Sequence, residues 1–466
     1  MSTRVALTLR AGIIGARKPD AMKILYVSHL FLPRYTGGTE VLTFQVTREM
    51  QRRGYAVEVL TCEDFRSATP QVEGSDEPYG SVSVHRLRLD PALSPDPVRA
   101  QYHFPAVEDY LLRRWRAQRP DLVHVHHFGF LTTAVATAAC RLDIPVVFTA
   151  TDFWLICPTS QLLRYDRSLC DGPTNLAKCA KCVTATYRRA APYQGLLAVI
   201  PERVFNWAAL GLAPRWAGRS TAARGLTSLL ERAEWNRRVA RKFARLLMAS
   251  RFMQKTMSGN GISTERMVLL PFGLDTAWAG GLRPRRFKPP LRIGFIGAIS
   301  PHKGLHVLVE AFRQLGAGQR ARLEIYGQLD FAPPYGEHVR ERAAGTSAIR
   351  FCGTFPPHEI GRVLSELDVL VIPSLWYENT PLVLLSALAA RLPVIVSDMG
   401  GLVEIIRHGE NGLVVSAGDP AALAAALQRC LEESSLLPDL SDRTSPVKSI
   451  GTYGDELQRI YEQAVS

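Results

Sequence analysis

Long apolar runs are missing from this chain of 466 residues. No stretch approaches the roughly 20 apolar residues that cross a bilayer, and the most apolar one, 195–212, is broken by Pro201, Glu202 and Arg203. That excludes an integral membrane protein built on helices. The first 21 residues hold Arg4, Arg10, Arg17 and Lys18 around a short apolar stretch, without the longer core and small-residue cleavage site of a secretory signal. They are expected to be an extension ahead of a fold beginning at Met22, in a cytoplasmic protein. Cysteine is scarce, 8 residues in all, which excludes a disulfide-stapled scaffold. A dinucleotide fingerprint is absent from both sheet starts. The one G-x-G-x-x-A string, 316–321, follows a helix and reads as its C-cap, so an NAD enzyme is not expected. No Asp-x-Asp metal motif occurs, and no recognition-helix or aromatic RNA signature accompanies the basic residues, so no nucleic-acid partner is expected.

What is present is globular. Hydrophobic residues make up 47% and charged residues 21%, with 35 Gly and 30 Pro, enough chain for two or three domains with full cores. The net charge of +13 lies entirely in residues 1–250; the remainder is neutral. Within that half, 185–250 carries 12 Lys and Arg against Glu202, Glu231 and Glu234. Together with Phe205, Trp207, Trp216 and Trp235, this segment fits an anionic membrane surface. A solvated Arg-rich helix over core aromatics is the plainer reading.

Short β-branched runs alternate with amphipathic stretches. Strands are expected at 23–28, 56–61, 122–125 and 146–149, and again at 291–297, 322–326, 369–372, 394–397 and 413–415. Helices are expected at 40–53, 104–116, 131–142, 305–315, 358–367, 381–391, 420–431 and 455–464. This is the βαβ rhythm of α/β doubly wound parallel sheets, given twice. The expected division is an N-terminal domain over 22–248 and a C-terminal domain over 249–440. The first carries a Cys-containing insertion at about 155–190 and a basic helical segment at about 185–248. Residues 441–466 are expected to hold a connection and a last helix returning to the N-terminal domain.

Paired sheets of this kind bind ligands at the carboxyl ends of their strands, where loops and helix N-termini offer N–H groups to anions. The first strand leads to Gly37 and Gly38, whose lack of side chains permits close approach to a diphosphate. The strand at 291–297 leads to Ser300-Pro301-His302-Lys303-Gly304, where Lys303 suits a phosphoryl oxygen. Pro373-Ser374-Leu375-Trp376-Tyr377-Glu378-Asn379-Thr380-Pro381-Leu382 places a carboxylate and N–H groups where sugar hydroxyls can be bound. Asp398-Met399-Gly400-Gly401 opens a further helix. Singly, each is an ordinary strand-to-helix turn. Together with Leu270-Pro271-Phe272-Gly273-Leu274-Asp275, in this order and spacing, they are specific.

From about Met22 to the last helix the chain resembles the retaining nucleotide-sugar glycosyltransferases of family 4, with their two-domain GT-B architecture. The resemblance implies that Lys303 holds the donor diphosphate with His302 and Gly304 beside it, and that Glu378 contacts donor-sugar hydroxyls. It further implies that Asn379, Thr380, Pro381 and Leu382 line the donor, that Gly37 and Gly38 cover the diphosphate, and that Gly400 and Gly401 complete the site. It implies a UDP- or GDP-sugar donor, a glycan or lipid-linked acceptor, and retention without an obligatory metal or cofactor. Three positions depart from the pattern. Ser386 stands where a ribose-binding Glu is usual, Ala298 where a basic residue is common, and Thr151 where a His often precedes Asp152. Ser386 and Ala298 motivate the competing reading, a silent GT-B subunit that binds nucleotide or a partner enzyme.

On the acceptor side, His127 and Asp152 lie at strand ends and are read as acceptor contacts. Cys157, Cys170, Cys179 and Cys182, spaced C-x12-C-x8-C-x2-C, fit a structural zinc. Plain reduced thiols and an iron–sulfur cluster are the alternatives.

Overall fold

The computed structural model describes residues 22–64, 71–173, 175–186, 201–204, 206–207, 221–282, 285, 287–316 and 318–466. The first sheet is built from β1 (Lys23–Val27), β2 (Ala56–Asp64), β3 (Glu73–Asp76), β4 (Ser83–Arg88), β5 (Leu122–Val125), β6 (Val146–Ala150), β7 (Arg245–Met248) and β8 (Met267–Leu269). Their order is β3-β4-β2-β1-β5-β6-β7-β8, parallel except for the β3 edge. The second sheet comprises β9 (Leu291–Ile296), β10 (Ala321–Tyr326), β11 (Ile349–Gly353), β12 (Val369–Ile372), β13 (Val394–Ser397) and β14 (Leu413–Val415). It is wholly parallel, in the order β11-β10-β9-β12-β13-β14.

Strands such as Val146–Ala150 and Val369–Ile372 are buried along their whole length, as near-continuous apolar runs require when helices cover both faces. Successive residues feed opposite cores. Leu25, Val27, Val123 and Val125 pack on one face of the first sheet, while Ile24, Tyr26, Leu122 and Val147 pack on the other. Helices α1 (Gly38–Arg52), α2 (Pro105–Ala117), α3 (Ala134–Arg141) and α4 (Leu176–Thr186) belong to this half.

The first sheet continues through β7 and β8 to Leu269, so the expected division at 248/249 falls inside it. Three-residue β8 is too short for its pattern to register in the sequence. After β14 the chain crosses back, and the helix Ile450–Val465 packs on the first sheet. There the Tyr461 hydroxyl meets the Tyr26 hydroxyl at 2.9 Å and His124 Nδ1 at 2.6 Å.

Candidate active site

On the donor side, β9 ends in a tight turn carrying Pro301–Lys303, closed by Gly304 at φ +69°. A Cβ at Gly304 would collide with the carbonyl of Pro373, so only glycine lets this turn touch the loop after β12. That contact brings Lys303 to Glu378. Lys303 Nζ donates to Glu378 Oε1 at 2.7 Å, and the same oxygen accepts from Ser374 Oγ at 2.6 Å and Trp376 Nε1 at 2.7 Å. Burial pushes the Glu378 carboxyl up, yet the Lys303 charge and these hydrogen bonds hold it below its ordinary value. The ammonium also sits 5.0 Å from the centre of the Trp376 ring. Ser374 and Trp376 were not singled out in the sequence, although they occupy the Glu378 loop.

His302 is lowered to about 4, by burial first and the Lys303 charge second. It is therefore neutral at pH 7 and supplies no cation to replace the one absent at Ala298.

Gly400 and Gly401 serve the Glu378 loop from below. Gly400 has φ +54°, a Cβ there would strike the Glu378 backbone, and Gly401 N donates to Glu378 O at 2.7 Å. Asn379 spans the two domains: its Oδ1 accepts from Ser250 Oγ at 2.9 Å and its Nδ2 donates to Ala150 O at 2.9 Å. Pro381 has no N–H, which leaves the backbone donors of this stretch to Asn379, Thr380 and Leu382. No side chain caps the helix Leu382–Ala389 that Pro381 introduces. Thr380 Oγ1 is buried without a partner. Ser386 Oγ donates to Leu382 O at 2.9 Å within its own helix, so its hydroxyl proton is already engaged.

In the first domain, Gly37 precedes α1 and its amide, with that of Glu40, holds the buried Glu40 carboxyl. Burial raises that carboxyl above its ordinary value. Beyond its neighbours and its own helix, no described residue stands within 4 Å of where a Cβ at Gly38 would lie. His127 Nε2 meets Asp152 Oδ2 at 2.6 Å, and the His127 ring lies 3.8 Å from that of His29, itself 3.8 Å from Glu40. His29 is held well below its ordinary range by burial and by His127. His127 Nδ1 is buried with no partner among the described residues. His29 and Glu40 were not expected, and only the Gly37-Gly38-Thr39-Glu40 string hinted at Glu40. His124 and His126 are core residues bonded to Tyr461, Thr149 and Thr43.

Of the basic segment, Trp235 turns inward. Its Nε1 donates to Thr133 Oγ1 at 2.9 Å and its ring lies 4.5 Å from His103. Trp207 and Val204 are 79% and 56% exposed, whereas Phe205 and Trp216 lie outside the described residues.

Cys157, Cys170, Cys179 and Cys182 sit in the turn, the hairpin and the helix that follow β6, and no three of their sulfurs lie within 4.8 Å of one another. The one tight grouping of metal-type ligands among the described residues is Glu58, Asp76 and His85. It is an ion-pair network: Lys23 and Arg114 already sit 3.0 and 2.6 Å from Glu58.

Two parallel-sheet domains joined by a returning helix, with a lysine–glutamate pair where strand-end loops meet, define the GT-B class. Structural neighbours agree on the fold. HepE from Anabaena in complex with UDP-glucose superposes with a TM-score of 0.62 at 14% identity, covering 94% of this chain and 98% of that one. Sucrose-phosphate synthase from Thermosynechococcus elongatus gives 0.63 at 17% identity, over 95% and 98%. The Glycosyltransferase Family 4 model matches residues 36–191, and the Glycosyl transferases group 1 model matches 290–433, together more than half of the chain. The chain belongs to glycosyltransferase family 4.

Among curated relatives, the amylovoran biosynthesis glycosyltransferase AmsK of Erwinia amylovora is 30% identical over 205 residues, 41% of this chain and 49% of that protein. The match thus spans about half the length of AmsK. The MMP alpha-(1->4)-mannosyltransferase of Mycolicibacterium hassiacum is 25% identical over 443 residues, covering 93% of this chain and 96% of that one.

Proposed function

We propose that this protein is a retaining glycosyltransferase that moves a sugar from a nucleoside-diphosphate sugar to a glycan or lipid-linked acceptor, in the synthesis of an envelope or extracellular polysaccharide. The observation that carries the reading is Lys303 paired with buried Glu378 where two strand-end loops meet, beside a helix whose first turn no side chain caps. Cleavage of the glycosyl–phosphate bond builds positive charge on the sugar and negative charge on the departing diphosphate. Lys303 and the amides of Asn379, Thr380 and Leu382 are the groups this chain offers to that negative charge. Glu378, held ionised, accepts hydrogen bonds from sugar hydroxyls. With the leaving charge met by these groups, transfer proceeds without a metal ion, and the departing phosphate takes the acceptor's proton on the same face of the sugar.

A UDP-sugar is the first donor to try, since HepE is solved with UDP-glucose; GDP-sugars are the second. Amylovoran biosynthesis by AmsK supports a polysaccharide acceptor. Among the described residues no helix is long and apolar enough to cross a membrane. Exposed Val204 and Trp207 beside Arg203 support peripheral attachment of a cytoplasmic protein to an anionic membrane face. The competing reading, a silent nucleotide-binding subunit, is favoured by the engaged Ser386 hydroxyl.

Purified protein incubated with UDP- and GDP-sugars, with excess EDTA present, tests the reading. Nucleoside-diphosphate release with an axial-to-axial or equatorial-to-equatorial product is expected. Binding without turnover across donors and lipid-linked acceptors establishes the silent subunit instead.

A further inference from the structure

The insertion after β6 has little core of its own. Its separate apolar cluster contains two buried residues, Ala177 and Ala180, with Leu176, Leu226 and Leu229 against them. Among the described residues α4 rests on this small cluster, whereas Leu155, Ile156, Cys157 and Leu162 before it lie in the main core, so a cross-link between the two pieces would fix α4. The four cysteines occur here and approach from three separate pieces of chain. Cys157 lies in a turn after β6, where its N donates to Phe153 O at 2.7 Å and its carbonyl accepts from Arg232 Nη2 at 3.3 Å. Cys170 ends a small hairpin bridged at Leu163 and Leu169, with its N donating to Leu162 O at 2.8 Å. Cys179 and Cys182 are three apart on α4 and so share a face. Cys182 Sγ lies 3.9 Å from Leu163 O, against the hairpin that Cys170 ends, and Arg232, which bonds Cys157 O, lines one cavity with Cys179. None of the four cysteines is in a disulfide. A cavity of about 260 Å³ opens at Cys179, lined also by Pro173, Asn175 and Arg232.

Charges of both signs lie nearby: Arg232 bonds Cys157 O and lines the cavity with Cys179, while Arg164 is paired with Glu202 at 3.2 Å and Asp171 adjoins Cys170. Arg232 is itself only 4% exposed. One buried and three half-buried thiols beside the buried Arg232 guanidinium make a poor apolar core, but they suit a metal–thiolate cluster.

We propose that Cys157, Cys170, Cys179 and Cys182 bind one zinc ion that fixes the insertion. Binding exchanges four S–H protons for four Zn–S bonds, and no atom is oxidised or reduced. The product carries two negative charges, and the buried Arg232 guanidinium beside Cys157 O is a counter-charge for them. Zinc–sulfur bonds of about 2.3 Å imply sulfur–sulfur distances of about 3.8 Å, so the ion draws the four side chains inward from their present separations.

The hairpin reaches the donor half through the first domain's core: Asp171 O accepts from Asn260 Nδ2 at 3.0 Å within that domain, and Cys170 and Tyr377, the neighbour of Glu378, both pack against its core. Any effect of the ion on turnover rests on the glycosyl-transfer reading; the presence of the ion does not.

The test is metal analysis of full-length protein purified without chelator, under reducing conditions, after exposure to zinc. About one zinc per chain is expected. Cys179→Ser and Cys182→Ser should lose it, while Cys140→Ser keeps it. Cobalt substitution should give thiolate-to-cobalt charge-transfer absorption and strong tetrahedral d–d bands. If the serine variants fail to fold, mercurial titration of the wild-type protein decides: one zinc should leave as four thiols react. Absence of zinc from folded protein, stoichiometric iron and sulfide, disulfides among these cysteines, or zinc retained when Cys179 and Cys182 are both replaced would each overturn the proposal. An inactive protein that holds zinc sinks only the glycosyl-transfer reading.

Discussion

The two sides of the cleft are built in opposite ways. The donor side is made by two loops, each continuous in sequence, that close on one carboxylate oxygen with three donors within 2.7 Å. The proposed acceptor side is gathered from Glu40, His29, His127 and Asp152, and leaves His127 Nδ1 buried with no partner among the described residues. The first is a finished electrostatic device whose charge is fixed before a ligand arrives. The second has hydrogen-bonding capacity left over, as a pocket must if it recognises a hydroxyl that is still absent. Preorganised charge belongs where charge develops in the reaction, and spare valence belongs where a partner is chosen.

The largest effect that would break this contrast is loss of the donor-side cation. Lys303→Ala should lower kcat on the order of 10²–10³-fold. The fold should survive with a loss of about 1–3 kcal/mol, because Glu378 keeps Ser374 and Trp376 but loses its counter-charge. Lys303→Met combined with Glu378→Gln should recover much of that stability and none of the rate. Steady-state kinetics and urea melts read both quantities; an unchanged kcat in Lys303→Ala would remove Lys303 from the chemistry.

Next is the glycine that lets the donor loops touch. Gly304→Ala forces a Cβ into the left-handed region and against the Pro373 carbonyl, and should cost about 2 kcal/mol or more. Gly38→Ala meets no described residue within 4 Å beyond its neighbours and its own helix and should change stability by less than about 0.5 kcal/mol. Its effect should appear in donor KM instead. Equal melting shifts in the two variants would erase the distinction between a packed and an open glycine.

Acid should separate the two sides as well. Burial holds His126 down to about 3, His302 to about 4, and His29 and His124 well below the ordinary 6.5. The unfolded chain therefore takes up protons that the folded one refuses. Stability present at pH 7 should fall as pH drops from about 6.5 toward about 4. Glu378 behaves differently: its folded pKa is lowered, so its contribution persists until pH falls below the ordinary carboxyl value of 4.5. Three of the four histidines lie in the first domain, so that half should loosen first. Unfolding free energies measured at pH 7 and pH 5 should differ clearly, and equality would contradict the neutral buried state.

A smaller change is expected at the acceptor pocket. Asp152→Asn should raise acceptor KM about tenfold with donor affinity unchanged, the size of one charge-assisted hydrogen bond orienting His127. A shift in donor affinity of the same size would mean that the pocket serves the nucleotide sugar.

The same contrast explains what the sequence discloses. Strands β5, β12 and β13 are found at the expected positions because short, fully buried β-branched runs announce themselves, and half-buried β14 is found there too. Lys303 and Glu378 are legible because each lies in a compact string. The edge strand Glu73–Asp76 is exposed throughout and polar, so alternation cannot reveal it. His29 and Glu40 gain their meaning only from meeting His127, about 90 positions away. Trp235 is the reverse case: surrounded by arginines it reads as a membrane anchor, yet a bond to Thr133 turns it into the fold.

The smallest effect concerns Ser386, the residue that stands where the family usually has a ribose-binding carboxylate. Its proton is spent on Leu382 O, one turn back, so a ribose hydroxyl could use only its remaining lone pairs. Such a neutral acceptor is weaker than a carboxylate by about half. Ser386→Ala should therefore weaken nucleoside-diphosphate binding by no more than about fivefold, within 1 kcal/mol. Stability should move by less than about 0.5 kcal/mol, since back-bonding within a helix contributes little. Ser386→Glu is the sharper variant, because it restores the usual acceptor at a position only 5% exposed. If the ribose pocket keeps its family shape, calorimetry with UDP and GDP should show affinity equal to or above that of the unaltered protein. Loss of nucleotide binding in Ser386→Glu, with the fold intact by circular dichroism, would mean that the pocket has been rebuilt around a smaller residue, and would move the donor side toward the less finished architecture of the acceptor side.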